Sequence, residues 1–577
     1  MRTNGYGRSE RARRAGVVVA TVASLAVLSA CTASSDSATS TTAASPAAAS
    51  SAGSSSAAAS SGAVDPAAAG VGPTSAAPIG VLPADAQAIM DKPAYKTARW
   101  NYYVADAETG EVLMANRPDE MVLTASTAKN FTVGSAYAVL GPDTTLTTPV
   151  NVTTPAEGGV VAGDLVLVAS GDLAMGGRNA AQGKFDNAFT ATTIDHVYGD
   201  VGAPNAAVAP GNPLAGLDDL AAQVAASGIT QVDGDVTIDT RLWETYVGQE
   251  GLVPSIFVND NLLDITVTAT SVGQLATVAS SPQTAAFTVT SDVTTTDAET
   301  PVELKVVADP DNPTAITVSG TIGAGKSQLT VYRIPDAASW ARTLFIEALT
   351  RAGVTVAAPA VALNNEAALP AVGSYPTDQQ VGSLTSPPLS AMGGMILETS
   401  YNTGANAMLC LLAVNAGSTK CEDGLKVIRG QIDKAGLETE AVVLVDGQGK
   451  DPASVTPRQI SNWMAWTRTQ PWGDVLTAGL PIYGETGSLS AVGKDSPAKG
   501  KIVAKTGTSA ASDPGTGRLY WGVQNLAGYM TTDQGRKLVF GLYMSGGSYP
   551  DSPTALAQSG PDIAGVADAF QRALSGA

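Results

Sequence analysis

Ser126 and Lys129 stand three residues apart in the stretch LTASTAKNFTV. A serine hydroxyl is a weak nucleophile until a neighbouring base takes its proton. The chain holds a single histidine, His196, so a Ser-His-Asp triad would have one base available to it in all 577 residues. A lysine kept unprotonated by burial and by nearby cations is the base that remains. If a helix begins at or near Ser126, residues three apart share a face and Lys129 lies beside the hydroxyl. Taken alone, Ser-x-x-Lys also occurs by chance on solvated helices.

Two further elements carry related chemistry. Ser400-Tyr401-Asn402 interrupts AMGGMILETSYNTGANAMLCLLA, where apolar residues at helical spacing flank a polar kink. Ser400 could relay a proton to a leaving amine, and Asn402 could hold Lys129 or a substrate amide. The plain alternative is a helix terminus capped by Ser and Asn. Lys505-Thr506-Gly507-Thr508 follows GKIVA, a short strand. There Gly507 would let a substrate backbone approach the strand edge, and Lys505 with Thr506 could meet a carboxylate. An edge strand with a gatekeeping lysine is the alternative.

The elements that must position these residues are spread along a chain too long for one core, so two or more units are expected. Hydrophobic residues make up 44% and charged residues 15%, a globular balance. Between the first and second elements, runs such as DLVLVAS, GDVTID, LDITVTAT and QLTVYRI read as strands. GTIGAGKS, residues 320–327, fits a phosphate-loop pattern. A phosphate loop needs a helix after it, and SQLTVYRIPD reads as a strand. The stretch is therefore expected to be a loose hairpin turn carrying Lys326, and no nucleotide is expected.

The first thirty residues place Arg11, Arg13 and Arg14 before a short apolar run, the layout of an export signal. Leu28-Ser29-Ala30-Cys31 resembles a bacterial lipobox, which would make Cys31 a lipidated first residue anchoring the protein to the outer face of the cytoplasmic membrane. Ordinary cleavage after Ala30 is the alternative. Residues 31–81 are dominated by Ala and Ser and read as a flexible tether. The formal net charge is −19, and without clustered Lys and Arg nucleic-acid binding is not expected. Cys410 and Cys421, in an exported chain, most simply form a disulfide, with buried free thiols as the alternative. The scarcity of histidine leaves no expected metal site, and no cofactor is called for.

In this order, the three elements resemble the class C low-molecular-mass penicillin-binding proteins, the D-alanyl-D-alanine carboxypeptidases and endopeptidases of cell-wall metabolism. The resemblance covers nearly everything after about Pro83. AETGEVLMANRPDEMVLTASTAK is similar to that family's approach to its nucleophile, and VDGQGKDPASVTPRQI, GLPIYGETGSL and LAGYMTTDQGRKLVFGLYMSG resemble later parts. It implies that Ser126 is acylated, that Lys129 is its general base, and that Ser400 and Asn402 complete the proton-transfer network. Lys505, Thr506 and Thr508 would bind the terminal carboxylate of a peptidoglycan stem peptide, and the N–H groups of Ser126 and Thr508 would form an oxyanion hole. β-Lactam antibiotics would acylate Ser126 as substrate mimics. Departures from the family are Thr124 for a usual Pro, Asn130 for Leu, Asn406 for Glu and Gln448 for Ser. The stretch SAASDPGTGRLYWGVQN reads as a longer loop after the third element.

The implied architecture is α/β: a β-lactamase/transpeptidase-like domain with an antiparallel sheet and flanking helices, built from 82–155 and 380–577. A large, mostly β insertion, 156–379, interrupts it. Rival functions are a β-lactamase, disfavoured by the size of the insertion, and a catalytically idle wall-binding lipoprotein, disfavoured by retention of all three elements. Whether carboxypeptidase or endopeptidase action dominates is left open, and His196 is read as an ordinary residue of the insertion.

Overall fold

Alternation along Arg99–Asp106 sends Trp100, Tyr102 and Val104 into one core and Tyr103 and Ala105 into another. This is the two-residue period of a strand buried on both faces. The neighbouring strand Lys537–Ser545 repeats it, with Leu538, Phe540, Leu542 and Met544 on the first side and Val539 and Tyr543 on the second. These strands lie inside a six-stranded antiparallel sheet, whose order is Val112–Asn116, Arg99–Asp106, Lys537–Ser545, Leu519–Thr531 and Ile502–Ser512; Gly547–Tyr549 pairs beside the start of Leu519–Thr531. The pairing of Arg99–Asp106 with Lys537–Ser545 joins chain segments more than 400 residues apart into one sheet.

The computed structural model describes residues 77–576 except 176, 179, 182, 183, 187 and 202–204. The export signal, Cys31 and most of the tether lie outside the described residues. Within the stretch expected to be tether, Ile79 exchanges backbone hydrogen bonds with Ala115, at 2.9 and 3.0 Å, on the sheet's outer strand.

Helices cover both faces of the sheet. On one side the C-terminal helix Ser552–Ser575, N-capped by Asp551, buries Ile563, Val566 and Phe570. On the other, Lys129–Val139, Leu389–Glu398, Asn402–Asn415 and Pro457–Arg468 form the larger core, in which the Phe131 and Trp463 rings lie 4.9 Å apart. A disulfide joins Cys410, on the third of these helices, to Cys421.

The insertion has its own apolar core, closed by the helices Ala215–Ala226 and Ala337–Arg351. Its boundaries are wider than the expected 156–379. Thr147–Val152 and Gln380–Thr385 pair antiparallel, share a sheet with Leu165–Val168 and Val236–Asp239, and bury Val150 and Val152 in the second core. Thr148, Val150 and Val152 alternate inward along the first strand, and Val381 and Leu384 of the second pack partly buried against the same core.

GTIGAGKS is also corrected. A strand does follow it, but Ala315–Gly323 pairs with Thr288–Thr296 and Glu303–Ala308, whereas Ser327–Arg333 pairs with Leu262–Thr268. The stretch therefore passes the chain from one sheet to another and is not a hairpin. Gly320 sits inside its strand because a Cβ there would stand 1.9 Å from the Glu303 carbonyl oxygen. The stretch SAASDPGTGRLYWGVQN is likewise mostly strand: Ile502–Ser512 and Leu519–Thr531 form one long hairpin with a bulge at Ser509/Ala510, and only 513–518 turn.

A buried ionic cluster ties the insertion together. Arg178 meets Asp195 at 2.8 Å and Asp260 at 2.9 Å, and His196 lies between Asp260 and Asp264 at 2.9 and 2.8 Å. Burial opposes charge on His196, but the Asp264 carboxylate and the hydrogen bonds to Asp260 and Asp264 outweigh it and push its pKa up to about 10. His196 is thus a structural cation of the insertion.

Candidate active site

Ser126 lies in a single 3-10 turn, Ala125–Ala128, that runs directly into the helix Lys129–Val139. Side chains three apart eclipse in a 3-10 turn, and Lys129 Nζ reaches the Ser126 hydroxyl at 2.7 Å. Thr124 holds the turn from below, donating its N–H to the Ala453 carbonyl at 2.8 Å. A proline at this position could not make that bond. Asn525 donates to the Thr124 carbonyl at 2.9 Å, fixing the turn to the sheet.

Lys129 is fully buried. Besides Ser126 it donates to Asn402 Oδ1 at 2.6 Å and to the Gln448 carbonyl at 3.2 Å. Asn402 opens its helix immediately after a sharp break between Leu389–Glu398 and Asn402–Asn415. At that break Ser400 adopts φ 62, an unfavourable value for a residue with a Cβ. The buried Tyr198 hydroxyl, from the insertion, donates to both the Thr399 and Ser400 carbonyls at 2.9 Å. Gln448 belongs to the turn Asp446-Gly447-Gln448-Gly449, which the Asp446 carboxylate holds by accepting from the N–H groups of Gln448, Gly449 and Lys450. Asp446 is therefore a turn-former, a role its sequence position did not disclose.

Lys505–Thr508 lies on the strand at the end of the sheet's order. Gly507 has a packing role there beside the one expected. A Cβ on it would stand 2.4 Å from Asn525 Oδ1 and 2.9 Å from the Ser126 nitrogen, so the absent side chain lets the strand press against the turn that carries Ser126. Lys505 is fully buried, and its Nζ donates to the Thr506 carbonyl at 2.8 Å. Burial first, and the charge of Lys129 second, hold its pKa well below the usual lysine value. The Thr506 hydroxyl meets Ser488 at 2.7 Å, and Thr508 donates to Gln524 at 2.8 Å.

The structure thus brings Ser126, Lys129 and Asn402 into direct hydrogen-bond contact, with Gly507 against the same turn and Ser400 two residues from Asn402. Ser488, Tyr198, Gln249 and Glu250 are additions that sequence reasoning missed. The last two form the tip of a hairpin of the insertion: Glu250 accepts from Asn402 Nδ2, and Gln249 accepts from Gln448 Nε2 at 3.2 Å. Two of the departures noted in the sequence are partners, since Asn406 donates to Gln448 Oε1 at 2.8 Å.

The pattern of the family described as D-Ala-D-Ala carboxypeptidase 3 (S13) matches residues 82–561. A D-alanyl-D-alanine carboxypeptidase of Actinomadura sp. (strain R39) is 26% identical over 498 residues, which is 80% of this chain and 80% of that protein. Penicillin-binding protein 4 of Haemophilus influenzae shares the fold, with a TM-score of 0.63 at 19% identity over 84% of this chain and 99% of that one. The same protein in complex with a β-lactam gives a TM-score of 0.62 at 19% identity, over 85% of this chain and 99% of that one.

Proposed function

This chain belongs to the D-Ala-D-Ala carboxypeptidase 3 (S13) family, and on that footing we propose that it hydrolyses the terminal D-Ala-D-Ala bond of peptidoglycan stem peptides through an acyl-enzyme on Ser126. The observation that carries the reading is the 2.7 Å contact of Lys129 with Ser126 inside a fully buried lysine pocket. In the reacting state the unprotonated Lys129 amine takes the Ser126 proton along that line while the Ser126 oxygen attacks the carbonyl of the penultimate D-Ala. The N–H groups of Ser126 and Thr508 receive the developing oxyanion, and removing one such donor typically costs a factor of about 100 to 1000. Collapse expels D-Ala, whose amine takes a proton through Ser400 and Lys129. Water then attacks the acyl-serine by the reverse proton path.

Lys505 suits the substrate's free carboxylate because its own charge is disfavoured until an anion arrives beside it. Thr506 and Thr508 supply hydroxyls along the same edge. Attack on a cross-link ending in a D-centre would follow the same steps and give endopeptidase action. β-Lactams would acylate Ser126 in the same geometry. We also take Cys31 as the lipid anchor of an exported protein; release of the Cys31→Ala chain from membranes is expected, and its retention there would overturn the anchor.

Release of D-Ala from a peptide ending in D-Ala-D-Ala, beside one ending in D-Ala-L-Ala, tests the activity. Release from the first and not the second is expected, and release from neither would contradict the reading. Cross-linked muropeptides assayed alongside separate endopeptidase from carboxypeptidase action.

A further inference from the structure

Asn402 can serve Lys129 only with its amide oriented one way. Its Oδ1 accepts from the lysine at 2.6 Å, which requires Nδ2 to face the opposite direction. What lies there is Glu250, whose Oε1 accepts from Nδ2. A carboxylate is an acceptor only, so it admits the amide nitrogen and rejects the amide oxygen. Glu250 is therefore a lock on the rotamer that Lys129 needs.

The lock comes from the insertion, 152 residues away in sequence. Tyr246–Gly248 and Gly251–Val253 pair as a two-stranded ribbon with Gly248 opposite Gly251, leaving Gln249 and Glu250 as its two-residue tip. Gly251, at φ 121, supplies backbone that a residue with a Cβ would resist. Gly248 lies close enough to the site's helix that a Cβ on it would stand 3.2 Å from Asn406 Nδ2. The tip engages two of the groups that surround the lysine amine: Glu250 holds the Asn402 side chain, and Gln249 holds the side chain of Gln448, whose carbonyl is another acceptor of Lys129. Arg333, also from the insertion, stands 3.7 Å from the second oxygen of Glu250 and keeps the carboxylate turned toward Asn402.

We propose that Glu250 is a positioning residue of the acylation reaction, acting through Asn402 to hold Lys129 in line with Ser126, and that the hairpin tip of the insertion is part of the catalytic apparatus. The assignment rests on the acyl-serine reading of Ser126. Misplacement of a catalytic group by about 1 Å can cost on the order of a hundredfold in rate. The test uses the purified full chain and the second-order rate of benzylpenicillin adduct formation, followed by intact mass. Glu250→Ala is expected to lower that rate at least about tenfold with an unchanged melting temperature, because Glu250 sits partly exposed on a hairpin tip and fills no core. Glu250→Gln, which keeps an acceptor oxygen for Asn402 Nδ2, is expected to recover most of the loss. In an Asn402→Ala background the further change Glu250→Ala is expected to cost less than about twofold, since two residues acting through one contact are not additive. A parent that is acylated while Glu250→Ala matches its rate overturns the assignment alone, as does a loss that persists undiminished in the Asn402→Ala background. A parent that takes no adduct overturns the acyl-serine reading, and this assignment falls with it.

Discussion

A Cβ on Gly449 would stand 1.9 Å from the carbonyl oxygen of Ala125, the residue before Ser126. Gly449 adopts φ 96, which glycine takes without strain, and Ala125 adopts φ 40, which a residue with a Cβ resists, so a strained backbone is held against a glycine where Ser126 is presented. Stored strain of this kind persists only where the surroundings impose it. Gly449→Ala is expected to lose about 1–3 kcal/mol of stability from the strained backbone alone and to displace the Ser126 turn. Urea denaturation with penicillin acylation checks both, and unchanged values of each would contradict the packing argument.

Asn130 is fully buried directly after Lys129, and neither its Oδ1 nor its Nδ2 has a hydrogen-bond partner. An unsatisfied buried amide costs about 1–3 kcal/mol, which an apolar side chain of similar shape avoids. Asn130→Leu is expected to raise the melting temperature while leaving the Lys129–Ser126 contact in place. A lowered melting temperature in calorimetry would show that the amide is held by something other than its packing.

His196 supplies a pH dependence of stability. Its pKa rises from an ordinary 6.5 to about 10 on folding, so its contribution is fully present below about pH 6.5 and is lost as pH rises through about 10. Between pH 7 and 10 the urea midpoint of the parent is expected to fall with a slope that His196→Gln lacks. The variant is also expected to be less stable at pH 6.5 by about 3–5 kcal/mol, because Asp260 and Asp264 lose the charge between them. Parallel slopes in parent and variant would contradict the buried imidazolium.

If Lys505 receives the substrate carboxylate as proposed, that binding is expected to be proton-linked. Burial, with the Lys129 charge behind it, disfavours the ammonium, and an arriving carboxylate favours it. Calorimetry of a blocked D-Ala-D-Ala dipeptide with the Ser126→Ala chain, in buffers of different ionisation heat, is expected to show proton uptake on binding. Binding without uptake would mean that Lys505 is already charged in the free enzyme.

The local geometry of the three elements, which follows from short spacings, was legible in the chain. Ser126 and Lys129 lie one turn apart, Ser400 and Asn402 flank a helix break, and Lys505–Thr508 follow a β-branched run, so each element announces its own local geometry. The parts that escaped are long-range. Glu250 and Gln249 lie 152 and 199 residues from their partners Asn402 and Gln448 and carry no motif, because a carboxylate that orients an amide needs only position. Gly507 was visible as a glycine in a strand, but that its missing side chain makes room for the Ser126 turn depends on how the sheet meets that turn. The strands around GTIGAGKS were readable as strands, yet the sheet each would join depends on pairings distant in sequence, as do the boundaries of the insertion at Thr147–Val152 and Gln380–Thr385.

The most direct test of the account is the intact mass of the full chain after incubation with benzylpenicillin, beside Ser126→Ala. One added penicilloyl group on the parent and none on the variant is the expected result. No adduct on a well-folded parent, or an equal adduct on Ser126→Ala, would contradict the assignment of Ser126 as the acylated nucleophile.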